Sequence, residues 1–121
     1  RTLSKEPRLD LVVGYGAGSP ASYSCELWQK DFLLNELNGL GVMTYEGKKG
    51  GVMSGWSRNN LNQYFRKWDL DTDVNSMQIE VIYDLRREKD LAYLISDYIA
   101  MSIKNLINTY SYSGTNKWPA Y

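Results

Sequence analysis

The chain has 121 residues, 43% of them hydrophobic, which is enough for one domain with a core but not for two. Its 14 basic and 14 acidic side chains cancel and no basic run exceeds a pair, so neither counterion-release binding to nucleic acid nor adsorption to an anionic membrane is expected. Histidine is absent, which excludes His-containing zinc sites and Ser-His-Asp or Cys-His catalysis within these residues.

In chain order, residues 1–8 read as a loose polar segment. Leu9 to Val13 then form a short apolar strand that runs into the glycine-rich turn Gly14-Tyr15-Gly16-Ala17-Gly18. Ser19 and Pro20 supply helix-start chemistry, and a helix of about 18 residues is expected to Asn38, with Asn38-Gly39 as its stop. Its apolar side is Leu27 or Trp28 with Phe32, Leu33, Leu34 and Leu37. Cys25, placed on that helix, reads as a small core residue. As the single cysteine it forms no internal disulfide and suits a reducing, cytoplasmic interior.

Val42 to Tyr45 read as a second strand, and the intervening helix is long enough for a parallel crossover. Lys48-Lys49-Gly50-Gly51 is a turn-rich loop, with a short extended piece expected near Val52. Ser57 to Trp68 predict a capped helix with Leu61, Tyr64, Phe65 and Trp68 on one face. Residues 69–75 predict an acidic loop, and Met77 to Tyr83 a third strand. Residues 88–110 carry Leu91, Leu94, Ile95, Ile99, Ile103, Leu106 and Ile107 at helical spacing. Residues 111–121 are a polar and aromatic tail. The expected fold class is α/β: a mixed, largely parallel sheet of three or four strands flanked by helices, an incomplete three-layer domain over residues 9–110. Parallel strands are normally covered on both faces, so a narrow sheet leaves a face or edge for companion protein. Trp56, Trp68, Tyr112, Trp118 and Tyr121 suit such a contact surface.

Three constellations could carry chemistry. The glycine turn between a strand and a helix invites a phosphate-loop reading, but its spacing is G-x-G-x-G rather than the dinucleotide fingerprint and no Lys-Ser/Thr follows, so tight-turn chemistry is the better account. Asp69, Asp71 and Asp73 alternate as in a calcium loop, but the glycine and glutamate that complete one are missing. Glu80 is an acid inside the β-branched run Ser76 to Val81. Either alternation turns it to solvent with Gln78, opposite Met77, Ile79 and Val81, or it is a buried carboxylate with a task.

From Leu9 onward the order is a strand with Asp10-Leu11-Val12-Val13-Gly14, a helix, Gly39-Leu40-Gly41-Val42, Lys49-Gly50-Gly51, then Met77-Gln78-Ile79-Glu80-Val81 with Leu85-Arg86, and a long final helix. This order, over Asp10 to Ile107, resembles the C-terminal half of the N-formylglutamate amidohydrolase family, whose fold is similar to zinc carboxypeptidases. The resemblance implies hydrolysis of an amide next to a carboxylate. Glu80 would be the catalytic residue, taking a proton from the attacking water and passing it to the departing amine. It further implies Gly50, Gly51 and Gln78 as substrate-binding residues and Arg86 as the clamp on the substrate carboxylate. Solvation, or pairing with Asp84, is the alternative for Arg86. The family's zinc ligands, two histidines and an acid, lie in its other half, so zinc would need ligands from a missing or companion segment. The rival expectation is a non-catalytic interaction or assembly subunit with no metal.

Overall fold

A computed structural model describes residues 9–19, 22–51, 53–57, 60–66 and 74–112, with backbone only for 110–112. Strand β1 (Leu11–Gly14) is wholly buried. It lies centrally in a three-stranded sheet of order β2-β1-β3, with β2 spanning Thr44–Glu46 and β3 spanning Gln78–Val81. β1 runs parallel to β2, with Val12 opposite Tyr45, and antiparallel to β3, with Val12 opposite Glu80. The sheet is therefore mixed in equal parts rather than largely parallel. The short piece expected near Val52 and the Asp69, Asp71 and Asp73 loop fall outside the described residues.

Alternation along β1 divides the chain's burial. Leu11 and Val13 face the helices and join Leu33, Leu37, Val42, Leu85, Leu91 and Ile95 in one core, flanked by Ile79 and Val81. Each such side chain contributes about 1.5–3 kcal/mol by leaving water. Helix α1 (Leu27–Gly39) connects β1 to β2, and helix α3 (Lys89–Tyr112) packs beside it. Between β3 and α3 lies the single-turn helix α2 (Tyr83–Arg87). Val12, Tyr45 and Glu80 point the other way, where no helix covers the sheet among the described residues.

The first helix begins at Leu27, not at Ser19. Ser24 is needed elsewhere: its N–H donates to Tyr15 O at 2.9 Å, and Ser76 N–H donates to Ser24 O at 2.9 Å, which ties it to the sheet end. The N-cap is Glu26, closed by a capping box with Gln29. At the other end Gly41, with φ of 87°, terminates the helix in a Schellman motif. Val42 N–H reaches Leu37 O at 3.0 Å and Gly41 N–H reaches Asn38 O at 3.0 Å, while Leu37 and Val42 are both fully buried. Cys25 is buried just before the helix, beside Tyr15 and Ala17.

Of the segment predicted as an amphipathic helix over 57–68, Trp68 lies outside the described residues. Among those described, Leu61–Phe65 form a 3-10 helix, capped by the Asn60 side chain on Asn62 N–H. Its burial is inverted. Leu61 and Tyr64 are 70% and 69% exposed, whereas Asn62 and Gln63 are buried. Gln63 Nε2 donates to Ser22 O and Gly55 O, both at 2.8 Å, and Asn62 Nδ2 donates to Gly14 O at 3.3 Å. The end of β1 and two loops converge here, and the amide N–H groups of Asn62 and Gln63 satisfy their carbonyls.

Candidate functional site

The uncovered sheet face carries two adjoining hollows. One, of about 530 Å³, is bounded by Leu9, Val12, Tyr45, Glu46, Lys48, Gly51 and Met53. The other, of about 240 Å³, is bounded by Glu80, Tyr83 and Arg86 and shares Leu9, Val12 and Met53 with the first. Together they form one trough across the sheet. Val12 is its floor, and Leu9, Tyr45 and Met53 stand exposed at its sides.

Strand pairing and the α2 turn set the polar end of the trough. Glu80 lies opposite Val12 in the antiparallel pair, with its exposed carboxylate on the uncovered face. The third strand stops at Val81, so Tyr83 to Arg87 turn into α2. That turn swings Arg86 back beside Glu80 in the same hollow, with its guanidinium carbon 5.7 Å from the Tyr83 ring centroid. Asp84 meets Arg87 instead, at 3.6 Å between two exposed groups.

The remaining sequence-derived site residues divide. Gly51 borders the larger hollow. The amides of both loop glycines are committed within the protein, Gly50 N–H to Ala17 O at 2.5 Å and Gly51 N–H to Lys48 O at 2.7 Å. Gln78 lies on β3, where its Oε1 accepts from Asn60 Nδ2 at 2.6 Å and its Nε2 donates to Met53 O at 3.2 Å. It ties the 53–60 region to the strand. Asp10, the acid of the first motif, is buried and accepts from Met43 N–H at 2.8 Å, fastening the start of β1 to the approach to β2.

The glycine turn is no anion cradle. Gly16 N–H donates to Ser54 O at 2.5 Å, Gly18 N–H to Gly16 O at 2.8 Å and Ser19 N–H to Ser22 Oγ at 3.0 Å, and α1 begins only at Leu27. Nor do the residues present fit zinc. The chain has no histidine, and among the described residues no three Cys, Asp or Glu side chains gather where a cation could sit.

A charged cluster escaped the sequence reading. Lys30, 6% exposed, places Nζ 2.5 Å from Asp31 Oδ1 and 2.6 Å from Glu46 Oε1, and 4.9 Å from the centroid of the Tyr15 ring. Tyr15 OH donates to Glu46 Oε2 at 3.2 Å. Burial by itself would lower the Lys30 pKa, but the hydrogen bonds to Asp31 and Glu46 prevail and raise it above its ordinary value. Burial, then the Glu46 charge, pushes Tyr15 up to about 12. The available signal was position: Lys30 is three and seven residues before Leu33 and Leu37, on the buried stripe of the helix. Leu27 and Trp28, expected on that stripe, are exposed.

No described helix is long and apolar enough to cross a membrane. No family model matches this chain, and comparison with curated proteins and with solved structures finds no match.

Proposed function

We propose that the chain supplies the proton-transfer and carboxylate-holding side of a site that hydrolyses an amide next to a carboxylate. The observation that supports this reading is the meeting of Glu80 and Arg86, from separate elements, in one hollow over an apolar floor. Arg86 offers a planar fork for a substrate carboxylate. Glu80 takes a proton from the attacking water and returns it to the departing amine. Gln78 serves as a tie that orders the trough wall rather than as a contact to substrate, because both ends of its amide are engaged.

Zinc enters this reading only with ligands from outside these 121 residues. A companion segment supplying them would also form a third layer that roofs the trough. A reducing cytoplasmic compartment suits the lone buried thiol of Cys25.

The test uses the natural gene product and a series of N-acyl amino acids. Glu80→Gln is expected to lower kcat by about 100-fold or more while circular dichroism and Tm stay unchanged, and Arg86→Ala to raise KM. Wild-type turnover in Glu80→Gln ends this reading. The rival is a non-catalytic interaction or assembly subunit, supported by Leu9, Tyr45, Met53 and Trp56 standing exposed. It predicts no hydrolysis by the wild type and a Tyr45→Ser variant of lower assembly mass in light scattering.

A further inference from the structure

We infer that the trough selects an amino-acid-derived amide with a large apolar side chain, held by Leu9, Val12, Tyr45 and Met53, while Arg86 holds its α-carboxylate. This rests on the amide-hydrolysing reading above and adds the substrate class.

The sheet register supplies the spacing. Val12 stands between Tyr45 on one neighbour and Glu80 on the other. With strands about 4.8 Å apart, the outer two lie about 10 Å from each other, a span comparable to a large amino acid from carboxylate to side-chain tip. The hollow of about 530 Å³ beside Tyr45 falls in the size range of small-molecule sites. It adjoins the hollow of Glu80 and Arg86, with Leu9, Val12 and Met53 lining both.

Chemistry then chooses the side chain. Leu9, Tyr45 and Met53 are 39%, 49% and 43% exposed, so apolar area on three sides is still wetted and gains from being covered. Met53 is unbranched and adapts to the outline of an aryl or aliphatic group. Of the two charged residues that line this hollow, Glu46 would repel an acidic side chain and Lys48 would attract one. Arg86, though exposed, offers a bidentate fork, whereas Lys48 is an exposed point charge, and such an ion pair is worth only about 0–1 kcal/mol. Pressing a carboxylate against the apolar floor costs more than that.

Binding and hydrolysis of N-acetylphenylalanine, N-acetylglutamate and N-acetylglycine by the natural gene product are measured in parallel, binding by calorimetry. N-acetylphenylalanine is expected to bind at least about tenfold tighter than N-acetylglycine, and Tyr45→Ser and Met53→Ser each to narrow that ratio to about threefold or less. Both variants alter exposed side chains, so one independent readout remains if the other is poorly folded. Preference for N-acetylglutamate, abolished by Lys48→Ser, overturns the inference and leaves the hydrolytic reading standing. The expected order of binding without any hydrolysis supports the trough's selectivity and overturns the hydrolytic reading instead. Equal binding of all three ligands overturns the inference.

Discussion

The Lys30 ammonium lies 2.6 Å from Glu46 Oε1, and because Tyr15 donates to the other oxygen, one carboxylate joins α1 to the ends of both parallel strands. Lys30 is nearly enclosed, whereas Glu46 and Asp31 remain half open to solvent. The pair therefore ranks between a buried and a surface ion pair in strength.

Alkaline pH is expected to weaken this junction. Tyr15, pushed from 10.0 up to about 12, and Lys30, raised from 10.5, both keep protons in the folded state that the unfolded chain has released. Their contribution is complete below about pH 10 and declines as pH rises through the folded pKa values. Urea midpoints should thus fall between pH 10 and 12, and Lys30→Met should flatten that decline while costing about 1–2 kcal/mol at pH 7. An unchanged pH slope in Lys30→Met would count against this assignment.

Gly16 and Gly39 should respond oppositely to alanine. Gly16 has a φ of 84°, and a Cβ there would press into Ser22 O and the Gln63 amide. Gly16→Ala is expected to lose about 2–3 kcal/mol, since strain and a broken hydrogen bond add. Gly39 ends a helix with open space around its Cα, so Gly39→Ala should gain up to about 1 kcal/mol. Thermal melts of the two variants check the contrast directly.

In the 3-10 helix, the polar residues are expected to matter more than their apolar neighbours. Asn62→Ala strips a donor from Gly14 O and a partner from the Ser76 hydroxyl, leaving buried groups unpaired. A loss of about 2–3 kcal/mol is expected. Leu61→Ala and Tyr64→Ala alter exposed side chains and should stay within about 0.5 kcal/mol of the parent. Chemical denaturation of the three variants would refute the inverted burial if the order were reversed.

Periodicity carried the long-range reading only where one face of an element meets an apolar core. The spacing of Leu33, Leu37, Leu91 and Ile95 marks the helix faces that cover Leu11 and Val13, and these are the residues found together. Alternation in Met77 to Val81 likewise turned Ile79 and Val81 to the core and Glu80 outward. Pattern failed for Leu61 and Tyr64, because the groups to be buried there are the backbone carbonyls of Gly14, Ser22 and Gly55. It failed at Ser19 for a related reason: the backbone of Ser24 pairs with Tyr15 and Ser76, and a helix through 22–24 would forfeit both bonds.

By itself the sequence determined an α/β class, its parallel crossover, the core positions Leu33, Leu37, Leu91 and Ile95 of the long helices and the lack of any histidine for metal or catalysis, since these depend on local spacing and composition, whereas Leu27, Trp28, Ile103 and Ile107 of the same stripes are exposed. Tertiary structure alone decided that Arg86 stands in the hollow of Glu80, that Lys30 is enclosed between carboxylates and that Gln78 binds a loop. The physical reason is that a polar side chain's role follows from the partners that desolvation forces on it. Those partners come from residues far away in the chain, where no local period records them.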